Sequence, residues 1–185
     1  MGRPKALLPC LPAAETFTAR IVRSLRAGGV SDVVVVGRDA DDDLRTHVAG
    51  LEPATAFVVN PDPSRGQLSS VLVAVEYAAH RSAEAILVMP VDIPRVRPDT
   101  IAAALAAFIR RDAPIVRMMH RGRHGHPVIF RATLFDALRA ADPSIGAKAV
   151  VRAYADQVLN VEVDDPGVLH DVDVPEDYER LFGGT

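Results

Sequence analysis

Asp92 stands in Met89-Pro90-Val91-Asp92-Ile93-Pro94, directly after the apolar run Ala85-Ile86-Leu87-Val88-Met89. A carboxylate held just past a buried strand, between two prolines that limit the backbone, suits a hard cation. The same placement suits an Asp that only closes a turn. A second acidic group lies in His170-Asp171-Val172-Asp173-Val174-Pro175-Glu176-Asp177. If His170–Val174 is extended, Asp171 and Asp173 point to one face. Pro175, Glu176 and Asp177 read as the first turn of a helix, a reading that does not require Asp171. Lys5, in Gly2-Arg3-Pro4-Lys5, is a flexible point charge suited to a phosphate, although charged N-terminal segments are common. Arg65-Gly66-Gln67-Leu68-Ser69-Ser70 leads into a helical pattern. Backbone N–H groups there could meet an anion, or a small polar residue could simply cap the helix.

His120, His124 and His126 cluster in Met119-His120-Arg121-Gly122-Arg123-His124-Gly125-His126-Pro127. No Cys or acidic residue within this stretch completes a zinc site, and the segment reads first as a hairpin between two strands. Cys10 is the single cysteine, which excludes an internal disulfide and a cysteine-based zinc cage. The chain has no G-x-G-x-x-G fingerprint, no Walker A loop and no G-x-S-x-G elbow. The formal net charge of -3 argues against nucleic acid as a partner, and Arg20, Arg23, Arg26, Arg110 and Arg111 read as solvated helix faces. No run of about 20 apolar residues and no signal-like segment is present, so no membrane partner and a cytoplasmic, reducing location are expected.

These residues need a frame. Val33–Val36, Thr55–Val59, Ala85–Met89, Pro114–Met118, Val128–Phe130 and Val158–Val163 read as strands, most of them apolar throughout, as strands buried on both faces are. Between them Phe17, Ile21, Val22 and Leu25 recur at helical spacing, and Gly28-Gly29 ends that helix. Leu68, Val71, Leu72 and Val75 form a second stripe. Pro98 opens a third helix lined by Ile101, Leu105 and Phe108. The 185 residues therefore predict one three-layer α/β domain, a mostly parallel sheet with helices on both faces. In such sheets ligands bind beyond the carboxyl ends of the strands, where Asp92 stands.

Together the segments MGRPKALLP, VVNPDPSRGQLSSV, VDIP, GHPVIF and DVDVPEDY, in this order and spacing, resemble the MobA-like NTP transferases. This is the group of molybdenum-cofactor nucleotidylyltransferases, and its cytidylyl-transferring branch matches best. The resemblance implies a Rossmann-like fold of the nucleotide-diphospho-sugar transferase type. It places Gly2, Lys5, Gly66, Ser69 and Ser70 on the nucleotide, with Lys5 on its phosphates. It gives Mg2+ to Asp92 and Asp171, sets His126 on the acceptor side, and makes Lys5 and Asp92 the catalytic pair. The implied reaction moves CMP, ahead of GMP, from CTP or GTP to molybdopterin or a similar phosphorylated pterin, releasing pyrophosphate. A molybdoenzyme or its chaperone is the further partner implied. A sugar- or polyol-phosphate nucleotidylyltransferase and a non-catalytic pterin or nucleotide carrier are the alternatives. Val91 replaces the family's usual Gly before the metal aspartate, and Cys10-Leu11-Pro12 replaces a Gly-containing turn. The family pattern opens with a central strand and an L-A-A-G-x-S-x-R-M-G loop, and Met1-Gly2 matches the end of that loop. The functional protein is therefore expected to start upstream of Met1.

Overall fold

Strands and helices alternate along the chain in the computed structural model, which describes residues 4–183. Gly2, assigned above to the nucleotide, lies outside the described residues. Strands β1 (Pro9–Cys10) and β2 (Glu15–Thr16) make a short antiparallel pair ahead of α1 (Phe17–Ala27). Then come β3 (Val34–Arg38), α2 (Asp42–Ala49), β4 (Ala56–Asn60), α3 (Gln67–Ala79), β5 (Ala85–Val88) and α4 (Pro98–Arg111). The hairpin of β6 (Ile115–His120) and β7 (Arg123–Arg131) follows. The short helices α5 (Phe135–Arg139) and α6 (Lys148–Ala153), strand β8 (Val158–Glu162) and α7 (Pro175–Phe182) complete the chain.

β3 and β4 pair in parallel, from Val34 opposite Ala56 to Arg38 opposite Asn60. The other main strands form a sheet in the order β5-β7-β6-β8. β8 is parallel to β6, whereas β7 is antiparallel to both β5 and β6. The hairpin turns at Arg121 and Gly122, whose φ values of 50° and 72° are those of the tight turn that matches strand twist.

Helices cover both faces of this sheet. Along β7, Ile129 packs with Ile21, Leu25, Ile101 and Phe108 of α1 and α4. Its neighbours Val128 and Phe130 point the other way, into Leu68, Val71 and Val75 of α3 and Leu138 of α5. A strand flanked in this way has no polar face, which is why the strands read as continuous apolar runs. The Thr16 hydroxyl caps α1 by accepting from the Ala19 N–H at 3.1 Å. At the other end a Cβ on Gly28 would lie 2.6 Å from Ile101, so glycine lets α1 and α4 approach.

A third cluster joins the two ends of the chain. Cys10, Phe17, Val172 and Phe182 are buried together with Tyr178 against them. Phe17 and Phe182 rings lie 5.3 Å apart, and the Tyr178 hydroxyl donates to the Pro9 carbonyl at 2.8 Å. Burial pushes the Cys10 thiol above its ordinary pKa, so this cysteine is a core residue with little thiolate to offer. Among the described residues no helix is long and apolar enough to cross a membrane.

Candidate active site

The aromatic cluster sets the geometry of the acidic segment. Val172 is fully buried in it, so Asp171 and Asp173 on either side are both exposed. No strand forms there, yet the Val172 N–H donates to the Asp92 carbonyl at 2.8 Å and stitches this segment to the turn after β5. Pro175 opens α7, and the Asp177 carboxylate accepts from the N–H groups of Asp173 and Val174 at 3.1 and 3.2 Å. Those two donors hold Asp177 below the usual carboxylate range. Glu176 and Asp177 thus belong to the helix start, and Asp171 and Asp173 are left for the cleft.

Lys5 reaches the same place. Its Nζ lies 2.8 Å from Asp173 Oδ1, both side chains partly exposed. Burial pushes the Asp92 carboxyl above its ordinary range; Lys5 pulls it back, while Asp173 and Asp171 push it further up. Among the described residues one cation, Lys5, therefore faces these three carboxylates, an excess of negative charge for a further cation to balance. Among the described residues no three His, Cys, Asp or Glu side chains gather tightly enough to hold a metal by themselves. Such a site fits a hard ion that takes its remaining ligands from phosphate oxygens and water, as Mg2+ does.

Across the cleft, α3 starts at Gly66, whose φ of 77° and ψ of -166° are open only to glycine. A side chain there would meet nothing within 4 Å, so conformation alone demands the residue. The Ser69 hydroxyl donates to the Gly66 carbonyl at 2.8 Å and accepts from the buried Asn60 amide at 2.8 Å. The same amide donates to Ser70 at 3.0 Å. Ser69 thus shapes the loop, while Ser70 and Gln67 line the cleft. Asn60, at the end of β4, was not singled out from sequence; an Asn that closes an apolar strand carries no distinctive signal.

Two cavities meet at Gln67, Pro90 and Asp92. One, of about 350 Å3, runs from this polar mouth down between β3 and β5. The other, of about 310 Å3, is walled by Asp171, Leu169 and the β7 residues Arg123 to His126. The three histidines of that region separate. His120 is buried with its Nδ1 2.9 Å from the Val163 carbonyl, His124 is exposed on the cavity wall, and His126 is half-buried. Burial pushes His126 below its ordinary pKa, and its Nδ1 is buried without a partner. A neutral imidazole of this kind can donate or accept one hydrogen bond. Arg123, which the sequence reading passed over, adds a positive charge to this wall.

Residues 1–158 match the MobA-like NTP transferase domain. The chain belongs to that family. It is a nucleotidyltransferase with a Rossmann-like fold. Over its whole length it superposes on Rv0371c of Mycobacterium tuberculosis at 27% identity and a TM-score of 0.84, covering 92% of that protein. Rv0371c has also been solved in complex with manganese, and that structure matches with a TM-score of 0.75. The purine catabolism protein PucB of Bacillus subtilis is 25% identical over 98% of this chain and 89% of its own. A phosphoenolpyruvate guanylyltransferase of Nocardia farcinica is 29% identical over 95% of this chain and 73% of its own.

The wall of the second cavity depends on one glycine. A Cβ on Gly125 would collide with the Val168 carbonyl, in the turn Pro166–Leu169 that leads to Asp171. In the transferase, Gly125→Ala is expected to displace this turn. Overpacking of this kind costs about 1–3 kcal/mol in urea denaturation. In steady-state kinetics the KM of the substrate that this wall contacts should rise roughly tenfold, because misplacement of a substrate wall by 1 Å is costly. The KM of the other substrate should stay within about twofold; an equal rise in both would remove the distinction between the two walls.

Proposed function

We propose that this transferase moves a cytidylyl or guanylyl group from CTP or GTP to a phosphorylated acceptor, releasing pyrophosphate. The meeting of the two cavities at Asp92 carries the reading. In this reading a nucleoside triphosphate sits at the mouth lined by Gln67 and Ser70, next to the Gly66 turn, and the acceptor lies between Arg123, His126 and Asp171. An oxygen of the acceptor phosphate attacks the α-phosphorus, a new P–O–P bond forms, and the bond to the β-phosphate breaks. Asp92 and Asp171 would hold Mg2+, or the Mn2+ that a relative carries, and the ion would supply charge neutralisation on the phosphates.

The protein's own groups do the rest. Lys5 exchanges its exposed partner Asp173 for the triphosphate and stabilises the departing pyrophosphate. Ser69 and Asn60 brace the Gly66 turn so that N–H groups at the start of α3 face the nucleotide. Arg123 attracts the acceptor's phosphate, and the His126 ring lines the same wall. A pterin-like acceptor such as molybdopterin fits the half-buried ring and apolar Leu169 and Val168 on this wall. A sugar or polyol phosphate would use the same Arg123.

Titration calorimetry tests the nucleotide half. Lys5→Met keeps the apolar stem and removes the charge. The exposed ion pair lost contributes only about 0–1 kcal/mol, so folding should be unchanged. CTP or GTP affinity should fall about tenfold, equivalent to about 1.4 kcal/mol, while CMP or GMP affinity holds. Equal losses for the mono- and triphosphate would take Lys5 off the phosphates.

A further inference from the structure

Arg121 and Arg123 flank Gly122 in the turn between β6 and β7. The Arg121 backbone N–H donates to the exposed Glu162 carboxylate, which ties the turn to β8. The two guanidinium groups are uncommitted. Arg97 pairs with Asp165 and Arg180 with Asp177, whereas the side chains of Arg121 and Arg123 make no ion pair or hydrogen bond among the described residues. Both line a cavity of about 230 Å3, with His120, Pro166, Leu169 and His170 as the other walls. No acid lines it. The nearby Asp165 carboxylate is already taken by the Arg97 and Gly167 N–H groups and the Thr100 hydroxyl. His120 is committed as well, with its Nδ1 2.9 Å from the Val163 carbonyl. His170 is not: its Nδ1 is buried without a partner among the described residues. Burial, then Arg95 and Arg180, hold His170 below its ordinary pKa against the pull of Asp165. Two unpaired guanidinium groups and one orphaned ring nitrogen around an acid-free hollow are the chemistry of an oxyanion site.

This hollow adjoins the cavity of about 310 Å3 assigned above to the acceptor. Arg123 and Leu169 line both. One ligand can therefore pass along Arg123 from the side of Asp171 and His126 to the side of Arg121 and His170. We propose that the smaller hollow receives a second oxyanion of the acceptor, a carboxylate or a phosphate, held by Arg121 and His170. The proposal rests on the transferase reading and narrows its acceptor to molecules with an anionic group at each end. An acceptor with a single phosphate would engage Arg123 and leave Arg121 and the His170 nitrogen unused. The hollow is also held in place. Its floor at Pro166 and Leu169 belongs to the turn that the buried Asp165 carboxylate fixes through Gly167.

Titration calorimetry with Mg2+ and no nucleotide tests this. A series of straight-chain alkanediol bisphosphates of increasing length is compared with alkyl monophosphates of the same lengths. At the length that spans both cavities the bisphosphate is expected to bind about tenfold more tightly than its monophosphate. Arg121→Asn, which tolerates the left-handed turn conformation, should abolish this advantage and leave the monophosphate unchanged. Arg121→Lys, which keeps the charge, should retain part of it. Equal affinities at every length would overturn the proposal, and so would an advantage that survives Arg121→Asn. Inorganic phosphate distinguishes a free anion from a tethered one. If it shifts the His170 ring signals in NMR spectra while no bisphosphate gains, the hollow serves a free anion and the acceptor source is overturned. Binding is read here without turnover. Tighter bisphosphate binding in a protein that releases no pyrophosphate would thus uphold the second oxyanion site and sink only the transfer reaction.

Discussion

Replacing Asp92 by Asn is expected to lower turnover at least about 1000-fold, equivalent to about 4 kcal/mol of transition-state stabilisation. The substitution keeps size and shape and removes the one charge that both cavities share. Folding should not suffer. In the folded protein burial, Asp173 and Asp171 raise the Asp92 pKa against the pull of Lys5, so the folded state binds this proton more tightly than the unfolded one. Ionised Asp92 therefore costs stability. The cost sets in as pH rises through the group's ordinary value and is complete above its raised value. At neutral pH Asp92→Asn removes that cost, and the melting temperature should match or exceed that of the natural protein. Loss of activity with a lower melting temperature would make Asp92 a structural residue; retained activity would remove it from the site.

Asp165 is expected to show the opposite pattern. It is almost fully buried, and its carboxylate accepts from the Arg97 N–H at 2.9 Å, the Thr100 hydroxyl at 2.6 Å and the Gly167 N–H at 3.0 Å. It thereby caps the start of α4 from a distant segment and holds the turn Pro166–Leu169 against Gly125. Asp165→Ala strands these buried donors. Each unsatisfied group costs about 1–3 kcal/mol, and incomplete additivity brings the sum to about 3–5 kcal/mol. For a chain of this size that lowers the melting temperature on the order of 10 °C. Asp165→Asn, which keeps an acceptor oxygen, should lose clearly less. A melting temperature within about 2 °C of the natural protein for Asp165→Ala would show that water or a shifted loop replaces the carboxylate.

Asp165 also shows where the sequence stops being informative. In Asp164-Asp165-Pro166-Gly167 it looks like any acidic turn, because its partners Arg97 and Thr100 are far away in the chain. Asn60 was hidden for the same reason. Local periodicity, by contrast, marked α1, α3 and α4, since each presents a continuous apolar stripe. It missed α2, where only Leu44 and Val48 are buried. Most strand positions were legible within a residue or two, but β7 starts at Arg123, well before the apolar run Val128–Phe130, β1 and β2 went unread, and strand order was not legible. Nothing in the apolar run of β7 says that it inserts, reversed, between β5 and β6. Asp171 and Asp173 were legible as acids flanking an apolar residue, and both are exposed on either side of the buried Val172, although no strand forms there. That Lys5 bonds Asp173 instead of Asp171 depends on the aromatic cluster that fixes the two chain ends.

The most direct test of the central claim is the release of pyrophosphate. Protein, Mg2+ or Mn2+ and CTP or GTP are mixed with molybdopterin, a sugar phosphate or a polyol phosphate. Pyrophosphate is followed continuously and the nucleotidylated product is weighed by mass spectrometry. The account predicts pyrophosphate equal in amount to product, dependent on both the divalent ion and the acceptor, and lost with Asp92→Asn. Orthophosphate in place of pyrophosphate would contradict it. So would the absence of product with every pair of substrates.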